Sequence, residues 1–437
     1  MVPIKLADNG NMGSVTELLK IRNFFSIKEF DWDIKGFNVI TGGMGSGKSL
    51  SLKLLYFFER SSDVSILSSS FGKDSLTTDK IYKHINNKFV SIFHSFHPEK
   101  DFMETMVDYK YICGDHVFDL SMKWNKDTNK LDWNSEYIND NIEKWQTFFK
   151  MPNAPDMMEF GQAKIYNSIS DDFKDTFPIA AMFIPAARAI TAITNNEFSV
   201  DPLLNRFIRL FKSYAIRRMK NDVKHDLVDT MLKIETITIP DNKIIEDGDI
   251  RITTHNGREI SPVELSSGQQ ELLYFLRLIK YLPDTSFHYG KSISVHIEEP
   301  SAHLFPQEQK DTIEYIAGMY GSIKRKDAKI CRFFITTHSP YILNVINNML
   351  KKGDIITRYK DYEDEVNKKI SIPPLYVDDV SASFINADGT VEDMKDENEY
   401  YLNADKIAEI SYNINEDTIT LSELNNEFID RRGSSDV

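Results

Sequence analysis

The chain has 437 residues and a formal net charge of −14, from 66 acidic and 52 basic side chains. That balance excludes a chain-wide basic coat for nucleic acid, though not a local patch. The length carries a prior of about three domains, one large α/β domain with insertions being equally permitted.

Val15 to Ile21 and Phe24 to Ile34 read as antiparallel strands, the second with Phe30, Trp32 and Ile34 in alternation. Phe37 to Ile40 is a short buried strand, followed by a glycine-rich turn and a helix that opens at Lys48-Ser49. Gly42-x4-Gly47-Lys48-Ser49 fits the phosphate-binding loop pattern, in the strand–turn–helix context that the pattern requires. The turn Gly42, Gly43, Met44, Gly45, Ser46, Gly47 can curl its backbone N–H groups around the phosphates of a nucleotide, and the next helix points its positive end at them. Lys48 supplies charge for the β- and γ-phosphates, and the Ser49 hydroxyl suits Mg²⁺. A nucleotide with Mg²⁺ is the expected ligand.

The helix continues through Phe58, and serine-rich Ser61 to Ser70 suggests a strand edge entering a loop. Met103 to Trp133 alternates again, with turns at Gly114-Asp115 and Asn125 to Asn129, and predicts a β-meander. Helices are expected over Tyr137 to Lys150 and Ser170 to Phe177. Ala180 to Ile184 reads as a core strand ending at Pro185-Ala-Ala-Arg188. The longest helical stretch, 201–233, starts at Asp201-Pro202 and sets Leu203, Phe207, Leu210 and Tyr214 on one face. Arg206, Arg209, Lys212, Arg217, Arg218, Lys220 and Lys224 fall on it, several at three- or four-residue steps. They suit either a DNA-facing lid or the solvated face of an arm helix, diluted by Asp222 and Asp226.

Strands return at Ile234 to Ile239 and Ile250 to Thr254, with turn signals at Asp247-Gly248 and Asn256-Gly257. Leu265-Ser-Ser-Gly-Gln-Gln270 is a Ser/Gly turn opening a helix; Ser266, Ser267, Gly268 and Gln269 could hold a γ-phosphate offered by another subunit, or simply cap the helix. The apolar run Ile293 to Ile297 leads into Glu298-Glu299-Pro300. A carboxylate at the end of a core strand can hold Mg²⁺, and its neighbour can activate the attacking water. Phe333 to Thr336 is another buried strand, with His338 just past its end as a candidate γ-phosphate sensor. The charged tail beyond about residue 350 holds a strand at Val380 to Ile385 and a helix near Ala404 to Tyr412. Cys113 and Cys331 lack metal-ligand spacing and read as reduced thiols of a cytoplasmic protein. No apolar run reaches 18 residues and no secretory leader is expected.

The order of phosphate loop, Leu265-Ser-Ser-Gly-Gln-Gln270, apolar strand with Glu298-Glu-Pro300, then Thr336-Thr-His-Ser-Pro340 resembles the ABC-type ATPase heads. Within them, Glu298-Glu-Pro-Ser-Ala-His-Leu-Phe-Pro306 and Thr336-Thr-His-Ser-Pro-Tyr-Ile-Leu343 look like the branch of OLD-family proteins and the ATPase subunits of antiphage systems such as Septu and PARIS. The resemblance covers roughly residues 15–345. It implies an α/β P-loop head with a mixed central sheet, an antiparallel β-subdomain, a helical insertion and a short C-terminal α/β extension. It implies Lys48 and Ser49 as nucleotide and Mg²⁺ contacts, Glu298 as the Mg²⁺-side carboxylate, Glu299 as general base and His338 as switch histidine. Ser267, Gly268 and Gln269 become a signature acting across a dimer, and Ser301 to Leu304 a dimer-contact loop.

The sequence departs from its relatives at Met44, where many have Asn. Gln146 and Gln162 both remain open for the glutamine loop, and Arg188 has no assigned role. OLD nucleases continue into a Toprim nuclease domain; here Asp378-Asp379 and Asp388-Gly389 read as acidic turns instead of a two-metal cluster. The expected organisation is an N-terminal lobe to 190, a helical arm over 191–235, a C-terminal lobe over 236–350, and an extension over 351–437 suited to partner docking. The function read from this is an ATPase that forms a homodimer or higher oligomer around ATP and regulates a separately encoded nuclease or toxin in antiphage defence. A DNA-repair or SMC-like ATPase acting directly on DNA, or an OLD-like nuclease component, is the alternative.

Overall fold

Two hydrophobic patterns produce two kinds of sheet. In β1 (Val15–Phe24) burial largely alternates, whereas every residue of β3 (Phe37–Gly42), β11 (Ser292–Glu298) and β12 (Ile330–Thr337) is buried. Alternation suits a sheet with one covered face; a continuous apolar run suits parallel strands covered on both. The computed structural model describes residues 15–61, 77–93, 103–148, 157–173, 176–177, 180–186, 234–238, 251–280, 292–327, 330–395 and 401–403.

The first sheet is antiparallel, in the order β2-β1-β4-β5-β6, with β2 Ile27–Ile34, β4 Met106–Cys113, β5 His116–Asn125 and β6 Lys130–Asn134. The central sheet has six strands in the order β14-β13-β3-β12-β11-β7, adding β7 Ala180–Ile184, β13 Val380–Ile385 and β14 Val391–Asp393. All its pairs are parallel except β13 with β14. A small third sheet joins β8 (Ile234–Thr238), β9 (Arg251–Thr254) and β10 (Glu259–Ile260).

Neighbouring residues of the central strands serve two cores. Ile40 and Phe334 join a cluster with Trp32, Tyr109 and Trp133 of the antiparallel sheet and Leu54, Phe57 and Phe58 of α1 (Lys48–Ser61). Val39 and Phe333 point into the other, with α5 (Ser267–Lys280), α6 (Pro306–Asp327) and α7 (Pro340–Arg358). The remaining helices are α2 (Thr78–Ile92), α3 (Glu136–Phe148), α4 (Met157–Asp172) and the short α8 (Glu363–Lys369). The protein is thus α/β, with a mixed central sheet and an antiparallel β-subdomain.

The interior between the sheets is not wholly apolar. Arg332 of β12 pairs through Nε with Glu17 of β1 at 2.6 Å, both fully buried, and its guanidinium lies 5.3 Å from the Tyr111 ring centroid. Tyr109 donates to the same carboxylate at 2.7 Å, and Arg332 donates to Ser292 at 3.1 Å. The adjoining Glu59 of α1 contacts His296 of β11 at 2.6 Å and accepts from Ser294 at 2.9 Å. These bonds tie α1, β11 and β12 to the antiparallel layer.

Some expectations shift. The break between β1 and β2 falls at Phe25-Ser26, where Phe25 adopts a φ of 51°, later than the alternation suggested. The helix placed at Ser170 to Phe177 runs instead over Met157–Asp172, and Thr176 closes its end by donating to the Phe173 carbonyl at 2.6 Å. α2 was not anticipated, although Ile81, Ile85 and Phe89 recur every four residues and Thr77 accepts from the Lys80 N–H at 3.4 Å. The serine-rich stretch after α1, the 201–233 helix with its basic residues, Arg188, and the helix near Ala404 lie outside the described residues. No helix among the described residues is long and apolar enough to cross a membrane.

Candidate ATP site

Parallel strands deliver their chemistry at their carboxyl ends, where the crevice of an open α/β sheet lies. Register sets Glu298 beside Thr336, Thr337 beside Thr41, and Ile385 beside Gly42. The phosphate loop, the Glu298-Glu299 step and His338 therefore emerge from one end of adjacent strands.

In the loop, Gly42, Gly45 and Gly47 take φ values of 147°, 74° and 112°, which glycine alone adopts without steric cost. Lys48 folds its ammonium back onto the carbonyls of Gly42 at 2.9 Å and Gly43 at 2.8 Å. Burial pulls the Lys48 pKa below its usual value, and the nearby Glu299 carboxylate works against that. The Ser46 hydroxyl is buried with no hydrogen-bond partner, while Met44 at the loop tip is fully exposed. Ser49 sits in the first turn of α1.

The two adjacent glutamates have different settings. Glu298 is buried and accepts from the Ala186 N–H at 3.1 Å, with the Lys53 ammonium 3.8 Å away. Glu299 adopts a φ of 44° and is held there by its N–H, which donates to the Thr336 carbonyl at 3.0 Å. Left-handed backbone at a non-glycine residue costs of order 1–3 kcal/mol and persists only when its surroundings fix it. The turn it makes brings its carboxylate to 2.9 Å from Nδ1 of His338. Lys48, Glu299 and His338 thus share one electrostatic neighbourhood.

The family model for the AAA ATPase domain matches residues 17–343. The chain belongs to that family. No curated protein sequence matches it. Among solved structures, it is similar to the SMC head domain from Thermotoga maritima at 12% identity and a TM-score of 0.34, covering 76% of this chain and 91% of that one. An Smc head with an extended coiled coil, bound to the C-terminal domain of ScpA derived from Pyrococcus furiosus, gives 12% and 0.37, over 92% of this chain and 99% of that one. A bacterial ABC transporter cassette described as dimeric gives 13% and 0.28, over 86% and 99%.

Within this AAA ATPase, the Ser266 turn is a capping box. Ser266 Oγ accepts from the Gln269 N–H at 3.4 Å, while the Gln269 side chain accepts from the Ser266 N–H at 3.1 Å. Gln270 is buried and donates to the carbonyls of Val263 and Leu265, both at 3.0 Å, fixing the approach to α5. Ser267 opens the helix and is exposed. A Cβ on Gly268 would stand 3.3 Å from the His303 carbonyl, so the turn packs on the Ser301 to Leu304 loop of its own chain.

Two residues went unnoticed in the sequence. Gln309 accepts from the Ser339 hydroxyl at 2.6 Å and donates to the Leu304 carbonyl at 2.9 Å, joining the His338 loop to the Ser301 to Leu304 loop. Ser26 donates to the carbonyl of Ser46 in the phosphate loop at 3.2 Å. Neither sits in a pattern that marks it. Gln146 lies on α3, in the layer that covers the antiparallel sheet, and Gln162 on α4. Among the described residues no cluster of three or more His, Cys, Asp or Glu is arranged for a metal.

Proposed function

We propose that this ATPase binds Mg²⁺–ATP between two heads and hydrolyses it slowly, closing on ATP and opening after cleavage. What carries the reading is the convergence of Lys48, Glu298, Glu299 and His338 at the carboxyl ends of β3, β11 and β12. The residues suit the ligand. Lys48 and the orphaned Ser46 hydroxyl stand in a loop whose amides favour an anion, and Mg²⁺ needs only one or two protein oxygens besides phosphates and waters. Ser49 and Glu298 would hold the metal, which when bound neutralises charge on the β- and γ-phosphates. Lys48 would exchange its carbonyl partners for phosphate oxygens. Glu299 would take the proton of the attacking water, and His338, held by Glu299, would donate to the γ-phosphate.

The Ser266-Ser267-Gly268-Gln269 turn is a second place suited to nucleotide phosphate, and one ATP does not need both within one chain. Two chains related by a twofold would lay each turn over the other's phosphate loop, burying two nucleotides in an isologous interface. In the setting that the sequence resemblance suggests, bacterial antiphage defence, the closed dimer would regulate a separately encoded nuclease or toxin. The basic residues between Arg206 and Lys220 would supply any direct DNA contact.

The test is complementation. Lys48→Ala should abolish nucleotide binding measured by calorimetry. Gly268→Asp should retain it in the monomer yet lose hydrolysis, because its carboxylate would face the partner's γ-phosphate. Mixed, the two variants should regain part of the activity, since one of two composite sites then has both halves intact. Mixed dimers that form without any rescue would sink the shared site.

A further inference from the structure

The family model ends at residue 343, yet a segment well beyond it touches the phosphate loop. β13 runs parallel to β3 along its whole length, from Val380 beside Phe37 to Ile385 beside Gly42. A Cβ on Gly42 would stand 2.5 Å from the Ile385 carbonyl. No side chain fits between the loop's first residue and this strand.

The turn that follows is built to reach further. The Asp388 carboxylate accepts from the Thr390 N–H at 3.0 Å and its hydroxyl at 2.6 Å, and Asn386 donates to the Thr390 carbonyl at 2.9 Å. Gly389, at a φ of 84°, offers its carbonyl to the Lys28 N–H at 2.8 Å, and Glu29 pairs with Thr390 in a short parallel bridge. Gly389 lies so close to the Ser26 carbonyl that a Cβ there would collide with it. Ser26 in turn donates to the Ser46 carbonyl, and its hydroxyl oxygen would stand 2.7 Å from a Gly47 Cβ. Two turns far apart in sequence, at Phe25-Ser26 and at Asn386 to Thr390, are therefore bonded to each other and packed on Gly42, Ser46 and Gly47.

We propose that the β13–β14 turn and Ser26 form an outer brace of the phosphate loop, with Ser26 and Gly389 as positioning residues that set nucleotide affinity, the turn doing so from outside the region the family model matches. The inference rests on the phosphate-loop reading above. The physical reason is that loop amides bind phosphate well only when their orientation is fixed beforehand. β3 and α1 anchor the two ends of the loop, and the brace holds its outer side. By reciprocity, a segment that changes nucleotide affinity must itself be altered by nucleotide.

Calorimetry with Mg²⁺–ADP on the full chain tests this, because ADP binding needs no second head. Gly389→Ala, which drives a methyl group onto the Ser26 carbonyl, should weaken binding at least about tenfold. Ser26→Ala should weaken it about threefold, and Ser26→Thr, which keeps the hydroxyl, should restore most of that. Since Gly389→Ala strains its own turn, hydrogen exchange on the unaltered chain gives a second reading. Mg²⁺–ADP should slow the amides of Lys28, Asn386, Gly389 and Thr390 as well as those of the loop. A chain that binds ADP and protects residues 43–49, while those four amides do not change and both Ser26→Ala and Gly389→Ala bind within twofold of it, overturns the brace alone. A chain that binds no nucleotide overturns the phosphate-loop reading and the brace together.

Discussion

Two glutamate–histidine pairs meet on one strand and have opposite settings. His296 of β11 contacts Glu59 at 2.6 Å, with both side chains at 0% exposure. Three residues on, Glu299 contacts His338 at 2.9 Å, with side-chain exposures of 15% and 70%. The inner ring is stacked on Phe334, its centroid 4.5 Å away and nearly parallel, and meets Tyr56 edge-on at 5.5 Å. The outer ring stands past a strand end, its partner held on left-handed backbone. Identical chemistry thus does two jobs. Inside, a packed ring and a carboxylate on α1 lock helix to strand; outside, an open ring and a carboxylate on a bent loop are the pair that would meet the ligand in the proposed mechanism.

Breaking the inner pair should cost most. Glu59→Ala leaves His296 and Ser294 buried without their carboxylate, and each buried polar group left unsatisfied costs about 1–3 kcal/mol. A thermal-denaturation midpoint well below that of the unaltered chain is expected, with activity lost through unfolding. Replacing both members, Glu59→Met with His296→Phe, should recover most of the stability, because apolar substitution of a whole buried pair is often neutral. A double variant no better than Glu59→Ala would show that the pair does more than fill space and bind itself.

The outer pair should behave in reverse. Glu299→Gln keeps shape and hydrogen bonding but removes the base, so hydrolysis should slow by about 10²-fold or more while nucleotide still binds. The melting midpoint should hardly move, as substitutions outside buried networks mostly fall within about 0.5 kcal/mol. If Glu298→Gln instead traps the ATP-bound dimer, the two carboxylates have exchanged roles. His338→Ala should follow with a smaller loss, tens of fold, read in single-turnover hydrolysis, because Lys48 and the loop amides still face the γ-phosphate. His338→Gln, which retains a donor, should lie between the unaltered chain and His338→Ala.

These differences explain what could be read from the sequence. The phosphate loop, the Glu298-Glu299 step and the position of His338 were legible because each motif is local: a few residues on one strand–loop unit whose types follow from its chemistry. β13 was legible at its observed bounds, Val380–Ile385, since a buried strand is an apolar run. Its place beside β3 was not, because the register of distant parallel strands depends on packing and leaves no local trace. Glu59 and His296 were invisible for the same reason. A lone His in an apolar strand and a Glu on a helix 237 residues earlier reveal nothing until the helix folds back. α2 was missed although its four-residue apolar period was present; here the signal existed and went unused.

The smallest expected effect concerns the joint between the two sides of the site. Ser339 follows His338 directly and donates to Gln309, which donates onward to the Leu304 carbonyl; Leu304 and His303 abut Gly268. One glutamine side chain thus links the loop that would sense a chain's own γ-phosphate to the turn that would address its partner's. Gln309→Leu deletes both bonds and leaves the Ser339 hydroxyl, only 7% exposed, without its acceptor. The stability loss should be about 1–3 kcal/mol, the range for an unsatisfied buried polar group. Binding of Mg²⁺–ADP to the single head should not change, since neither bond touches the phosphate loop. If the loops communicate through this joint, the dependence of hydrolysis on ATP concentration should lose its sigmoidal character while the dimer still forms. Gln309→Glu sharpens the result: it keeps an acceptor for Ser339 and cannot donate to Leu304. A variant that loses cooperativity as Gln309→Leu does would assign the effect to the Leu304 bond, and one that retains it would assign it to Ser339.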